Sequence, residues 1–161
     1  MNKIIKILLF FLIPMLYMND SCVDKESTNC HYYITIINDS DFDIYFNMPI
    51  DTTGFYYAAS AMIANAFRYK VNAHNNKKYK DRECIEYKFT KGVTFPNGKY
   101  APLDSLRVYI LDATVLEQDL KYKTLIRYDL SLDNLRYLNW TVTYPPGEEM
   151  KNIVMYPPYG K

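Results

Sequence analysis

The first 22 residues have a different pattern from the rest of the chain. Two lysines, Lys3 and Lys6, precede an apolar run from Ile7 to Met18 that is interrupted only by Pro14, and polar residues follow. A basic start, a short apolar centre and a polar end are typical of a secretory signal peptide. The run is shorter than the ~20 apolar residues of a membrane-spanning helix. We therefore predict a cleaved signal at residues 1–21, with an uncleaved anchor as the alternative.

After the signal, apolar and polar residues alternate in short segments. Residues 32–38 and 42–46 are rich in β-branched and aromatic side chains, and Asp39-Ser40-Asp41 between them is typical of a turn. This pattern predicts a β-hairpin. Residues 72–81 are polar and basic, which predicts a surface loop. The alternation of Ile85, Tyr87 and Phe89 predicts a further strand, whereas alanine-rich residues 58–67 fit either a short helix or an irregular strand.

The last third has the clearest pattern. Strands are predicted at residues 106–111, 124–130 and 140–144, because each segment is apolar and bounded by turn or cap residues. Thr114 and Glu117 have capping-box spacing, and Ser131 precedes Leu132, Leu135 and Leu138, so two short helices are predicted. Short strands with two brief helices predict a mainly β fold, a single antiparallel β-sandwich-like domain at residues 30–161.

Composition limits the classes of partner. The chain has 161 residues, 49% hydrophobic, with 19 basic and 18 acidic side chains. Loss of the signal removes Lys3, Lys6 and Asp20, leaving 17 of each sign and a net charge of zero. A chain this apolar is not disordered throughout, and it lacks the basic excess of a nucleic-acid-binding protein.

Three cysteines carry the candidate modification sites. Cys22 follows the apolar run directly after Ser21, which resembles a bacterial lipoprotein signal whose cysteine thiol receives a diacylglycerol. Residues 22–29 would then be a tether, and acylated Cys22 would bind membrane lipid. Cys22 as an ordinary first cysteine of the mature chain is the alternative. If Cys22 is acylated, Cys30 and Cys84 are left as candidates for a disulfide in an oxidising compartment, or for two separate buried thiols.

Two C-terminal segments carry a family resemblance. Residues 106–117 and 127–146, with Leu138-Asn139-Trp140-Thr141-Val142-Thr143-Tyr144-Pro145-Pro146 as the most specific part, resemble small uncharacterised lipoproteins of the Bacteroides group, and residues 155–159 resemble their usual ending. The resemblance implies a lipoprotein of the cell envelope, attached to the outer membrane. Acidic residues Asp24 and Glu26 after Cys22 resemble the signal that sends such lipoproteins to the cell surface. The resemblance implies no catalytic residue.

Catalytic and ligand-binding motifs are few. His31 and His74 are the general-base candidates near neutral pH, and neither has the sequence context of a nucleophile. Together with Cys30 and Cys84 they match no zinc spacing. The acidic run from Asp39 to Asp43 lacks the glycine and glutamate of an EF-hand, so a turn is the better interpretation. No cofactor or metal site is predicted.

The function expected from these observations is a non-enzymatic binding or structural module held at the cell envelope. Its ligand would be a glycan or a protein. An envelope enzyme acting on glycans and a subunit of a surface assembly are the alternatives. Seventeen tyrosines are compatible with sugar binding, since aromatic rings stack on sugars, but ordinary sheet packing is the better interpretation.

Overall fold

A computed structural model describes residues 27–49, 69–95 and 98–161. The strands of these residues are β1 (Tyr33–Asn38), β2 (Ile44–Asn47), β3 (Lys70–Val71), β4 (Asn75–Lys80), β5 (Val93–Thr94), β6 (Tyr100–Ala101), β7 (Leu106–Asp112), β8 (Thr124–Leu130), β9 (Thr141–Tyr144) and β10 (Val154–Tyr156). The helices are α1 (Ile85–Thr90), α2 (Ala113–Asp119) and α3 (Leu132–Tyr137), and Glu148–Met150 forms a 3₁₀ turn. The predicted mainly β fold with short helices is confirmed.

The strands form two principal sheets. One has five strands in the order β10-β8-β7-β2-β3, and the other has three in the order β4-β1-β9. Strands β5 and β6 form a small separate ribbon. All neighbours are antiparallel except β1 and β9, which run parallel with Ile36 opposite Val142. The sandwich is therefore mostly antiparallel with one parallel pair.

The two sheets bury their facing side chains in one core. Ile34 and Ile36 of β1 belong to the same apolar cluster as Phe46 of β2 and Ile110 of β7, and the exposure of each is 1% or less. Alternate residues of the strands enter this cluster, as expected for sheets with one buried face. The core thus lies between the sheets, which is the sandwich arrangement predicted from the sequence.

Helix α2 covers part of the opposite face of the five-stranded sheet. Ala113 and Leu116 of α2 pack against Tyr45, Tyr109 and Leu111, which form a second, smaller apolar cluster. The five-stranded sheet is therefore buried on both faces where β2 and β7 meet. Burial on both faces explains why Leu106–Asp112 is the most continuously apolar strand of the chain.

The predicted hairpin of residues 32–46 is wrong. Strands β1 and β2 both form, but β1 pairs with β4 and β9, whereas β2 pairs with β3 and β7. Asn38 directs the crossing between the sheets, because its buried side-chain amide donates to the carbonyls of Phe42 (2.8 Å) and Val71 (3.2 Å). Turn residues between two strands therefore mark a sheet-to-sheet crossing here.

Two further predictions between residues 72 and 90 are wrong. Residues 75–80 were expected to be a loop and form edge strand β4, with exposed lysines and Tyr79 packed against the core. Residues 85–90 were expected to be a strand and form α1. Ile85 and Phe89 both contact the core, and Tyr87 is 45% exposed. A spacing of four residues matches a helix as well as a strand, which is why the alternation was misleading.

The C-terminal elements follow the prediction more closely. Strand β8 has the predicted bounds, and Ser131 caps α3 through a capping box with Asn134. Helix α2 begins earlier than predicted, because Asp112 is its N-cap and accepts a hydrogen bond from the Val115 amide (3.2 Å). Strand β10 was not predicted. It pairs with β8 at the sheet edge.

Candidate functional site

The predicted modification sites fall in different parts of the chain. Cys22, the signal peptide, the tether up to residue 26 and the alanine-rich residues 58–67 lie outside the described residues. Cys30 and Cys84 are both described, as free thiols. We call Cys30, His31, Cys84, Glu86 and Trp140 the thiol cluster, since the structure brings these side chains together at the start of the domain.

Backbone hydrogen bonds place the two cysteines side by side. Cys30 ends a tight turn in which Ser27 and Cys30 exchange backbone hydrogen bonds of 3.0 and 3.2 Å. Cys84 directly precedes α1, and the amide of Ile85 donates to the carbonyl of His31 (2.9 Å). Backbone hydrogen bonds alone therefore bring together two cysteines that are 54 positions apart in the sequence.

The Cys84 thiol has three neighbours. It donates hydrogen bonds to Glu86 Oε2 (3.3 Å) and, more weakly, to the Asn29 carbonyl (3.8 Å), and the Cys30 side chain is its third neighbour. Burial, followed by the hydrogen bonds to Cys30 and Glu86, raises the pKa of Cys84 to about 12. Cys84 is therefore a neutral thiol at physiological pH, unlike the thiolate of a cysteine nucleophile. Disulfide pairing of Cys30 with Cys84 stays a prediction.

Glu86 is the acceptor that organises the cluster. Its carboxylate accepts hydrogen bonds from the His31 amide (2.8 Å) and from His31 Nδ1 (2.6 Å), and the residue is only 4% exposed. Burial alone would raise the pKa of Glu86, but the hydrogen bonds from His31 outweigh it and lower that pKa. The Trp140 ring stacks on the His31 imidazole with 4.2 Å between the ring centroids. Glu86 is thus held as a carboxylate beside a buried thiol.

Sequence reasoning named Cys30 and Cys84 but missed Glu86. The available signal was the short spacing Cys84-Ile85-Glu86, which places the cysteine at the N-cap of α1 and the carboxylate in its first turn. Reading residues 84–89 as a strand placed the cysteine and the glutamate on the same face without showing that His31 would meet them. Trp140 is buried, and its contact with His31 is a long-range consequence of the parallel pairing of β1 and β9.

The other titratable candidates are separate from this cluster. His74 Nε2 lies 3.0 Å from Asp41 in an exposed pair at the surface. Asp43 accepts hydrogen bonds from Lys70 (2.9 Å) and the Ala73 amide (3.0 Å), and the bond from Lys70 is the main reason that the pKa of Asp43 is lowered. Within residues 27–49, 69–95 and 98–161, no group of three or more His, Cys, Asp or Glu side chains is arranged to hold a metal ion.

A second candidate surface is the outer face of the three-stranded sheet, which we call the lysine face. The register of the three strands brings alternate residues of each onto this face. It consists of Tyr33, Thr35, Ile37, Asn76, Lys78, Lys80, Thr141 and Thr143. All eight residues keep solvent exposure, and Asn76, Lys78 and Lys80 are exposed. None of the eight is acidic, so the face has a positive charge.

Aromatic and hydroxyl groups surround the two lysines of this face. Lys78 Nζ and Lys80 Nζ each lie 5.9 Å from the centre of the Tyr33 ring, within cation–π range. Thr35 lies opposite Lys78 on one side and opposite Thr141 on the other. The face therefore presents two ammonium groups, one aromatic ring and three threonine hydroxyls on a regular sheet surface.

Comparison with known proteins adds no relative. No family model, curated protein or solved structure matches the chain. Among the helices that the structure describes, none is long and apolar enough to cross a membrane. Any functional conclusion therefore depends on the chain's own residues: the thiol cluster, the lysine face and the sequence pattern of residues 1–29.

Proposed function

We propose that this protein is an exported lipoprotein, held to the outer membrane by lipid on Cys22, that binds an acidic polysaccharide without acting on it. Support for the anchoring comes from the basic and apolar pattern of residues 1–18 and from the position of Cys22 directly after it. Acyl chains on one cysteine supply membrane affinity without a spanning helix. The resemblance of residues 106–146 to envelope lipoproteins agrees with this location.

The single observation that supports a binding role is the exposed lysine face. Helix α2 covers the outer face of the five-stranded sheet where β2 and β7 meet, whereas the lysine face keeps Lys78 and Lys80 exposed beside Tyr33. Ammonium groups pair with carboxylates or sulfates, and threonine hydroxyls hydrogen-bond to sugar hydroxyls. Neighbouring side chains on one face of a strand are about 7 Å apart, so an extended anionic chain can contact both lysines at once.

Retention of the purified chain on immobilised polygalacturonate tests the binding role. We expect retention on this acidic polymer, no retention on neutral dextran, and weaker retention as salt is raised, because exposed charges are screened. The double variant Lys78→Glu and Lys80→Glu should weaken binding by about tenfold or more, since each substitution replaces an attractive charge with a repulsive one.

A matched control keeps the change in net charge the same. Lys121 and Lys161 are exposed lysines outside the three-stranded sheet, so the double variant Lys121→Glu and Lys161→Glu should bind like the unchanged chain. Equal weakening by both double variants would mean that net charge rather than the lysine face governs retention. Absence of retention on the acidic polymer would contradict the proposed ligand.

Labelling of growing cells with radioactive palmitate tests the anchoring. The unchanged chain should incorporate the label, and so should Cys30→Ala, whereas Cys22→Ala should not. The reason is that Cys22 comes directly after the predicted signal and Cys30 does not. An unlabelled chain would refute lipidation and leave the binding role to be judged by the polysaccharide experiment.

A further inference from the structure

We propose that the thiol cluster is an oxidation site at which Cys30 reacts first and Cys84 second, so that the resulting disulfide fastens the start of the domain to α1. The oxidant is a protein disulfide of the cell envelope, and the inference depends on the proposed export only for access to that oxidant. The site is separate from the lysine face and uses none of its residues.

Geometry favours closure of this bond. The segments around both cysteines are already joined by the hydrogen bond from the Ile85 amide to His31, and the Asp81 amide donates to the Tyr32 carbonyl (2.7 Å). A buried ion pair between Lys88 of α1 and Asp81 (2.5 Å) fixes α1 against the end of β4. Cys84 Sγ lies 3.8 Å from the carbonyl oxygen of Asn29, the residue before Cys30, and the backbone on each side is held, so joining the two neighbouring thiols orders little additional chain.

Unequal exposure sets the order of reaction. Cys84 is 2% exposed, whereas Cys30 is only partly buried. A protein disulfide can reach Cys30 from solvent but cannot reach Cys84 without opening the domain. Cys84 is in addition kept as a neutral thiol by burial, which raises its pKa to about 12, and thiolates are the reactive form. Cys30 is therefore the attacking thiol and Cys84 the resolving one.

The exchange has two balanced steps. In the first, the Cys30 thiol gives its proton to solvent and its sulfur attacks the donor's disulfide, which forms a mixed disulfide and releases one donor thiolate. In the second, the Cys84 thiol passes its proton to Glu86 Oε2, 3.3 Å away, which releases it to solvent, and the Cys84 sulfur attacks Cys30 Sγ. The Cys30–Cys84 bond forms, and the second donor thiolate leaves and takes up a proton. The two cysteines lose two electrons, and the donor disulfide is reduced to two thiols.

Glu86 acts here as a positioning residue and proton acceptor. Its carboxylate is kept ionised by the two hydrogen bonds from His31, of 2.8 and 2.6 Å, and His31 is itself held under Trp140. A buried thiol that must lose a proton therefore has one carboxylate oxygen in contact with it. The rate at which Cys84 attacks the mixed disulfide therefore depends on whether Glu86 is ionised.

Mapping of thiols tests the order of reaction. The full chain with Cys22→Ser, so that two thiols remain, is reduced and incubated with glutathione disulfide, and its peptides are identified by mass spectrometry. We expect a Cys30–Cys84 disulfide. With Cys84→Ser added, a glutathione adduct should accumulate on Cys30, and with Cys30→Ser added, Cys84 should react at least about tenfold more slowly, because buried, protonated thiols are unreactive.

Two results would overturn the proposal. One is a chain whose two thiols stay free at every ratio of oxidised to reduced glutathione. The other is equal reactivity of Cys30 and Cys84 in the two serine variants. Because neither lipid nor polysaccharide is present, either result would leave the proposed anchoring and binding untouched.

The pH dependence of closure tests the role of Glu86. After Cys30 has been converted to its glutathione adduct, the rate of closure is followed from pH 6 to 9. Glu86→Gln should slow closure by about tenfold or more near neutral pH and make it steeply dependent on hydroxide, since general bases commonly contribute that much or more. Glu83→Gln, an exposed neighbour on the same loop, is the matched control and should leave the profile unchanged. An unaltered profile in Glu86→Gln would remove Glu86 from the reaction.

Discussion

The two sheets of the sandwich differ in how much of their strand pairing is local. Strands β7 and β8 of the five-stranded sheet are successive antiparallel strands connected through α2, all within residues 106–130. The three-stranded sheet instead combines β1, β4 and β9, which come from the first, middle and last parts of the described chain. Local pairing can be read from neighbouring residues, whereas the second kind of sheet depends on contacts that no short segment specifies.

The outer faces of the two sheets differ as well. Away from α2, the five-stranded sheet balances its charges within the strands, since Asp129 lies 3.0 Å from Arg127 and 3.5 Å from Arg107. The Arg127 guanidinium also lies 4.1 Å from the centre of the Tyr156 ring. The lysine face contains no carboxylate. One outer face thus contains neighbouring charges of opposite sign, whereas the other contains positive charges alone.

The largest expected effects come from the core that the sheets share. Ile36→Ala in β1 and Ile110→Ala in β7 should each lower the free energy of unfolding by about 2–5 kcal/mol, because both side chains are fully buried in one cluster. Ile37→Ala, the adjacent residue on the lysine face, should cost less than half as much. Chemical denaturation of the three variants measures these changes in the free energy of unfolding. If Ile36→Ala cost no more than Ile37→Ala, the sheets would not share a core.

The next effect concerns the hydrogen bond between the sheets. Tyr128 of β8 donates its hydroxyl proton to the Thr143 carbonyl of β9 (2.9 Å). Tyr128→Phe should destabilise the protein by about 1–3 kcal/mol, because a carbonyl in a buried setting loses its partner. Tyr137→Phe, at a residue that is 71% exposed, is the matched control and should be neutral. Equal melting temperatures for both variants would rule out a stabilising role for this bond.

A smaller effect distinguishes the two candidate caps of α2. Asp112→Ala should lower stability by about 1 kcal/mol, because the side chain accepts the Val115 amide and caps the helix. Thr114→Ala should be close to neutral, although the sequence alone favoured Thr114 as the first residue of a capping box. Thermal unfolding of the two variants compares them. A larger loss for Thr114→Ala would restore the assignment made from spacing.

The smallest effects appear as pH dependence. The pKa of Asp112 is lowered, mainly by the hydrogen bond from Lys123, and the pKa of Glu86 is lowered because the hydrogen bonds from His31 outweigh burial. A carboxylate with a lowered pKa stabilises the folded state above its unfolded pKa, and this stability is lost as pH falls through the folded value. The melting temperature should therefore decrease as the pH is lowered below about 4.5.

Variants at these two carboxylates show which of them causes the loss of stability at low pH. Asp112→Asn and Glu86→Gln should each flatten the acid limb of the curve of melting temperature against pH, because the substituted group no longer titrates. An unchanged acid limb in both variants would show that other carboxylates dominate acid unfolding. A change in only one would identify which region of the fold is the more sensitive to acid.

The C-terminal elements were predictable for a physical reason. Strand β8 and the Ser131 cap of α3 depend on side chains within a few positions of one another, so composition and spacing contain the information. Strand β4 was missed because an edge strand needs few apolar residues, and its lysines are typical of an exposed loop. Helix α1 was missed because a six-residue segment shows too few turns to separate a period of 3.6 from one of 2.

The candidate sites show the same division. Cys30 and Cys84 were singled out from parity alone, yet their contact depends on the arrangement of β1 and α1. The meeting of Glu86 with His31 could not be foreseen, since residues 55 positions apart make the bond. The lysine face could not be predicted without β4. Lys78 and Lys80 share a face with Tyr33 only when residues 75–80 form a strand.

The central place of β1 has a consequence for the order of synthesis. Strand β1 precedes the other described strands along the chain, but one of its two neighbours, β9, ends at Tyr144. Chains grow at about 5–20 residues per second, so several seconds or more pass between the synthesis of β1 and that of its second neighbour. Until then its backbone groups on that side have no strand to bind. The three-stranded sheet therefore cannot be completed before residues 141–144 have been made, and until then this edge of β1 stays open to handling by other cellular factors.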